Sequence, residues 1–275
     1  MTRETDYCFA ADLGGTQLAA AIADSHGSIV AELTEPTDPR GAAYVAEQIA
    51  ACADKLAKTV GIEVTRARHV MVGIPGAIEN DVNLAMLGEH ALGCASRCRN
   101  AAFLSLGTGA GLGLLIDDKL FRGACGSAGE IADLPIGVDP TSQIPSARGT
   151  FELEVRSLAI VDRYRRQGGT EAATVRDIFR LLEQGDEVAA SVLDTTARWV
   201  ALAVVTLQSL LDLELIVFGG SIGVRPELYE RVRQALPALF SRPVTIEPSQ
   251  LGDRAGLIGA AWAAGQALRQ NPELA

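Results

Sequence analysis

The sequence predicts an α/β protein of two lobes, and three observations carry that expectation. Short apolar runs of strand length alternate with amphipathic helical stretches, the pattern of layered α/β folds. Two glycine-rich loops containing a threonine, Asp12-Leu-Gly-Gly-Thr16 and Gly107-Thr-Gly109, lie in different halves of the chain, each between two strand-like runs. The 275 residues, 48% of them hydrophobic, are enough for one large domain or two smaller ones.

The opening elements read as three strands, Tyr7–Asp12, Leu18–Ala23 and Ser28–Glu32, the last two joined by the turn Asp24-Ser-His-Gly27. Adjacent glycines at 14 and 15 let the backbone approach a ligand closely, and their N–H groups can face a phosphate. Asp12 could then hold a divalent cation through water and Thr16 adds a hydroxyl; an ordinary hairpin would tolerate the same residues. Val45, Ile49, Cys52, Leu56 and Val60 mark the apolar face of a helix over residues 42–59.

A buried strand at 69–72 then delivers Gly73-Ile-Pro-Gly76, followed by Glu79-Asn-Asp-Val-Asn83 and a helical pattern at Val82, Met86 and Leu87. Asn80 and Asp81 read either as helix caps or as polar groups at a strand-to-helix mouth, where α/β proteins bind ligands.

The second half begins near Asn100 with a strand over 101–106, the glycine run Gly107–Gly113 as a loop, and a strand over 114–117. No helix signal follows that run at once, unlike a dinucleotide fingerprint, and no Gly-Lys-Ser/Thr of a Walker A loop occurs. A further glycine-rich loop, Gly123–Glu130, ends in a carboxylate. Helices dominate 151–213, beginning with Glu152 and Glu154 and including a long one over 186–211. The strand 215–218 runs into the tight turn Gly219-Gly220-Ser221, which suits packing against a flat ring. A helix over 226–235, a strand over 244–247 and an Ala/Gly-rich helix over 255–268 close the chain.

A formal net charge of −10 and the lack of a basic cluster exclude nucleic acid or an anionic membrane as the main partner. No apolar signal core opens the chain, and the apolar stretch 199–211 is too short to span a bilayer, so a cytoplasmic protein is expected. Five cysteines form no disulfide framework, and the pair Cys94 and Cys98 has no second Cys/His pair with which to hold zinc.

These motifs together resemble the ROK (repressor, ORF, kinase) sugar kinases of the actin/hexokinase-like superfamily. The carriers are Asp12–Thr16, Gly73–Gly76, Glu79–Asn83 with Gly88-Glu89, Leu104–Gly113, Gly126-Ser-Ala-Gly-Glu-Ile131 and Phe218-Gly-Gly220. The resemblance implies two ribonuclease H-like (actin-like ATPase) lobes with a cleft between them. The first would span 1–99, completed by the C-terminal helix at 255–275, and the second 100–254. It implies ATP-dependent phosphorylation of a hexose, with ATP and Mg2+ as cofactors and a homodimer as the assembly.

Residue by residue, the resemblance makes Asp81 the general base. Gly76, Asn80, Glu130 and Glu152 would contact the sugar. Asp12, Gly14, Gly15, Thr16, Gly107, Thr108 and Gly109 would hold phosphates and magnesium, with Asp12 on the metal through water, and Gly219 and Gly220 would flank adenosine. Two departures stand out. The family's zinc-binding His and cysteine loop are missing, so the chain is expected to be of the zinc-less type, with Asp133 replacing the His contact to the sugar. Roughly forty residues that the family carries after the Gly-Ile-Pro-Gly turn are also missing after Ile78, an excision a parallel sheet tolerates because neighbouring strands lie only ~5 Å apart. That loss motivates an alternative, a catalytically silent sugar- or nucleotide-binding protein. A dehydrogenase rests on the glycine run alone.

Overall fold

The structure, a computed structural model, describes residues 7–64, 67–73, 80–136, 149–170 and 172–270 (backbone alone at 67–69, 73 and 270). The chain divides into two compact units, one of Met1–Ser96 with Asp253–Ala275 and the other of Arg97–Gly252.

In the first unit, β1 (Tyr7–Leu13), β2 (Gln17–Asp24) and β3 (Ile29–Pro36) form an antiparallel meander, and β4 (Ala67–Gly73) pairs parallel with β1. The sheet order is β3-β2-β1-β4. Successive side chains of a strand point to opposite faces, and this alternation divides β1. Phe9 and Ala11 join Leu18, Ala20 and Ile22 in one apolar cluster with Cys52, Leu56 and Ala57 of α1 (Ala42–Val60). The other parity, Cys8, Ala10 and Asp12, is left for the opposite face. Gly61 ends α1 with φ 75°, a left-handed conformation that glycine adopts without steric cost. β3 extends four residues beyond the expected Glu32, because β2 offers partners as far as Gln17, which pairs with Pro36.

Two helices complete this unit. α2 (Asp81–Leu92) is buried continuously from Val82 to Glu89, as a helix covered on all sides must be. α9 (Ala255–Gln270) packs on α2 and on β1, β2 and β4. α2 and α9 touch backbone to backbone: a Cβ at Gly88 would strike the Ala255 carbonyl, and one at Gly259 would strike that of Leu84. Burying Leu84, Met86 and Leu87 in this unit contributes about 1.5–3 kcal/mol per side chain.

The second unit repeats the same core topology. β5 (Ala101–Leu106), β6 (Ala110–Ile116) and β7 (Lys119–Leu120) form the meander, β8 (Leu215–Gly219) pairs parallel with β5, and β9 (Ile246–Pro248) adds a fifth strand. The order is β7-β6-β5-β8-β9, against four strands in the first unit among the described residues. β6 starts at Ala110 rather than at the expected 114, so the glycine loop is confined to 107–109. Gly111 and Gly113 lie in the strand, opposite Ser105 and Phe103.

The helices are α3 (Glu152–Val155), α4 (Ser157–Arg166), α5 (Val175–Glu183), α6 (Glu187–Leu211), α7 (Gly220–Gly223) and α8 (Pro226–Leu239). The 25 residues of α6, apolar enough for a membrane span by length and composition alone, exceed the stretch that its apolar run marked. Its residues Val192, Leu193, Val200 and Val204 lie wholly inside the core of this unit, which is the place of a core helix.

Candidate active site

In each unit the parallel strand pair delivers the candidate residues at its C-terminal edge, the position at which open α/β sheets place ligands. In the first unit Asp12, one residue before the end of β1, is in register with Gly73, the last residue of β4. Gly14 N–H donates to the Gln17 carbonyl (2.8 Å), and the Thr37 hydroxyl donates to the Gly14 carbonyl (2.8 Å). These bonds fold the exposed loop Gly14–Thr16 back on itself and hold it from β3's end.

Asp12 belongs to the face that α9 covers. A Cβ at Gly256, in the first turn of α9, would strike the Asp12 carboxylate, so this carboxylate occupies space that only glycine leaves open. Burial, with a smaller contribution from the nearby Asp81 charge, pushes the Asp12 carboxyl up from 3.8 to about 6. Asp81 opens α2. Its Oδ1 accepts from Val82 N–H (2.8 Å), and the Asn80 side chain, the N-cap, accepts from the same group at 3.3 Å. Asn80 thus does serve as a cap, while Asp81 remains close enough to Asp12 for their charges to repel. Gly76 lies outside the described residues, as does all of 74–79.

In the second unit Ser105 pairs with Gly219, which brings the loop after β5 and the Gly219-Gly220 turn to one edge. Gly107 N–H donates to the Gly109 carbonyl (2.9 Å), closing a tight loop. Ser157 N–H, at the start of α4, donates to the Gly107 carbonyl (2.9 Å). Glu152 Oε2 accepts from Ala110 N–H (3.2 Å), and a Cβ at Gly109 would come within 2.7 Å of that oxygen. The loop's shape is therefore set by α3 and α4, contacts that short sequence motifs do not signal.

Gly219 lies against the Phe103 ring, where a side chain would clash. Gly220 has φ 74° and sits on the Leu106 carbonyl, so both positions require glycine. Beside the turn is a cavity of about 430 Å³, lined by Thr174, Val175, Arg176, Phe179, Ser221 and Arg225. The Arg225 guanidinium stacks over the Phe179 ring at 4.7 Å. Ser221 joins the cavity to the loop, its Oγ 3.4 Å from where a Gly107 Cβ would be.

Glu130 precedes a 3-10 turn, Ile131–Asp133, that Asp133 ends, and both border another cavity, of about 410 Å³, lined also by Leu112, Leu114 and Leu207. Both are exposed, and Glu152 holds the Ala110 amide. Among the described residues no three His, Cys, Asp or Glu side chains gather to hold a metal. Magnesium bound largely through substrate phosphates needs only one or two protein carboxylates, and Asp12, buried and beside the Asp81 carboxylate, fits that role.

The chain is similar to known sugar kinases over most of its length. The glucokinase of Streptomyces coelicolor is 28% identical over 302 aligned positions, covering 91% of this chain and 95% of the relative. These positions outnumber the 275 residues of the chain, so the relative carries residues that are missing here. The N-acetylmannosamine kinase of Escherichia coli O6:H1 is 25% identical, with coverage of 91% and 96%. Among solved structures, a ROK family glucokinase from Streptomyces griseus in complex with glucose and AMPPNP superposes with a TM-score of 0.75 at 25% identity, covering 94% of this chain and 99% of that one. The sequence model of the ROK family matches residues 69–267. The chain belongs to the ROK family.

Proposed function

We propose that this protein is an ATP-dependent sugar kinase that phosphorylates a hexose, with Asp81 as the general base. The observation that carries the reading is the repeated edge: one parallel pair presents Asp12 beside Asp81, the other a closed Gly107–Gly109 loop beside a glycine turn and a nucleotide-sized cavity. The kinase relatives support the same reaction.

In this reading the amides of Gly14, Gly15, Thr16, Gly107, Thr108 and Gly109 bind phosphate oxygens. The adenine lies in the cavity beside Gly219 and Gly220, on the Phe179 wall. Gly76, Asn80, Glu130, Asp133 and Glu152 bind and orient the sugar. Asp12 would hold magnesium, which supplies charge neutralisation at the phosphates when bound. The sugar hydroxyl oxygen attacks the γ-phosphorus, the bond from that phosphorus to the bridging oxygen of ADP breaks, and the hydroxyl proton passes to the Asp81 carboxylate. ADP leaves with the bridging oxygen. Positioning and electrostatics supply most of the rate, so one carboxylate base suffices. A homodimer, as in the reading of the sequence, is measurable by light scattering.

The four strands of the first sheet among the described residues and the aligned positions missing from this chain favour one alternative, a protein that binds sugar or nucleotide without turnover. ADP release from magnesium-ATP across glucose, fructose, mannose, N-acetylglucosamine, N-acetylmannosamine and allose decides between them. Turnover with one sugar, lost in Asp81→Asn, supports the kinase. Sugar binding by calorimetry with no ADP release supports the alternative.

A further inference from the structure

Arg156 separates α3 from α4 in an extended conformation (φ −65°, ψ 158°), and its side chain forms no ion pair or hydrogen bond among the described residues. Its Nε is sealed from solvent without an acceptor, an unfavourable state for a buried donor. Two carboxylates lie close in sequence, yet both are committed elsewhere. Glu154 pairs with Arg163 (2.5 Å), and Glu152 holds the Ala110 amide of the phosphate loop (3.2 Å). The next residue, Ser157, is bonded through its own amide to the Gly107 carbonyl at 2.9 Å. An unneutralised guanidinium is thus tethered one peptide bond from the loop that the kinase reading assigns to phosphate.

We infer that Arg156 is a phosphate-contacting residue, whose guanidinium pairs with the terminal phosphate of the nucleotide at the Gly107–Gly109 loop. This rests on the kinase reading of that loop. An arginine fork matches two phosphate oxygens at once, and a cation placed at the transferred group stabilises the charge that spreads over it during transfer. Discrimination of ATP from ADP follows, because ADP lacks the group that Arg156 holds.

The test compares full-length wild type, Arg156→Gln, Arg156→Lys and Arg156→Ala. Calorimetry with magnesium gives the affinities for AMPPNP and ADP, and steady-state turnover is measured with the sugar found active. Arg156→Gln is expected to weaken AMPPNP about tenfold with less than a twofold change for ADP, and to lower kcat by about ten- to a hundredfold at an unchanged sugar KM. Arg156→Lys keeps the charge but not the fork and falls between, and methylguanidinium restores part of the turnover of Arg156→Ala. A wild-type AMPPNP-to-ADP affinity ratio in Arg156→Gln overturns the inference. Should that variant not fold, the same ratio in Arg156→Lys decides. A wild-type protein that binds AMPPNP but turns over none of the sugars defeats the kinase reading, while the affinity ratio still settles the role of Arg156.

Discussion

The Asp12 carboxylate lies against Gly256, in the first turn of α9, at a point where any side chain would displace it. The residue proposed to hold magnesium is thus set by a helix that follows it late in the chain. Gly256→Ala is expected to push the carboxylate out of position and lower kcat at least tenfold, while destabilising the fold by about 1–3 kcal/mol. Turnover beside a thermal melt checks both; unchanged turnover in a folded variant would refute the contact's importance.

Asp12 also imposes a pH dependence on stability. Its carboxyl binds protons more tightly in the folded protein, near 6, than at the ordinary 3.8. The folded state therefore holds more protons than the unfolded chain between those values, and stability is lost as the pH rises from about 4 through 6. Asp12→Asn removes that loss. Its unfolding free energy should exceed that of the wild type above pH 6, by up to about 3 kcal/mol, with the two converging below pH 4. Denaturation at several pH values in the absence of nucleotide tests this, and a constant offset across the range would contradict it. The more stable variant should be the inactive one.

Asp81→Asn leaves the fold nearly untouched, since Asn80 remains the N-cap and an asparagine oxygen can still accept from Val82 N–H. The lost favourable charge at the helix start costs about 0.3–1 kcal/mol, and relief of the repulsion on Asp12 offsets part of it. Turnover should fall by roughly 10²–10⁴-fold. Near-normal turnover in the variant would remove Asp81 from the role of base.

Gly220→Ala places a methyl group on the Leu106 carbonyl at a left-handed φ of 74°. The strain should cost about 2–4 kcal/mol and shift the turn beside the nucleotide cavity. Calorimetry with ADP should show weakened binding at temperatures where the variant is folded. An ADP affinity equal to that of the wild type would separate this turn from nucleotide binding.

The fold was legible where local pattern and tertiary role agree. The helix face from Val45 to Val60 and the strands around Asp12 and Leu104 carry the right periods, and the structure has them there. The glycine run misled at Gly111 and Gly113, which read as loop by composition; pairing with β5 outweighed that tendency. The candidate site was legible as far as contiguous motifs reach: Asp12–Thr16, Asn80-Asp81, Gly107–Gly109 and Gly219-Gly220. Its supports were not. The Thr37 hydroxyl on Gly14, the Glu152 carboxylate on Ala110, and Gly256 beneath Asp12 join segments far apart in sequence, and neither composition nor spacing marks them.

The first unit is assembled from both flanks of the second, with α9 wedged against α2 through Gly88 and Gly259. On a ribosome, Arg97–Gly252 emerges as one continuous stretch and can fold while synthesis proceeds. The unit carrying Asp12 and Asp81 must wait for its last helix. A nascent chain would then be able to close its Gly219-Gly220 turn before the unit holding the proposed base is complete, so the order of translation sets the order in which the two halves of the proposed site form.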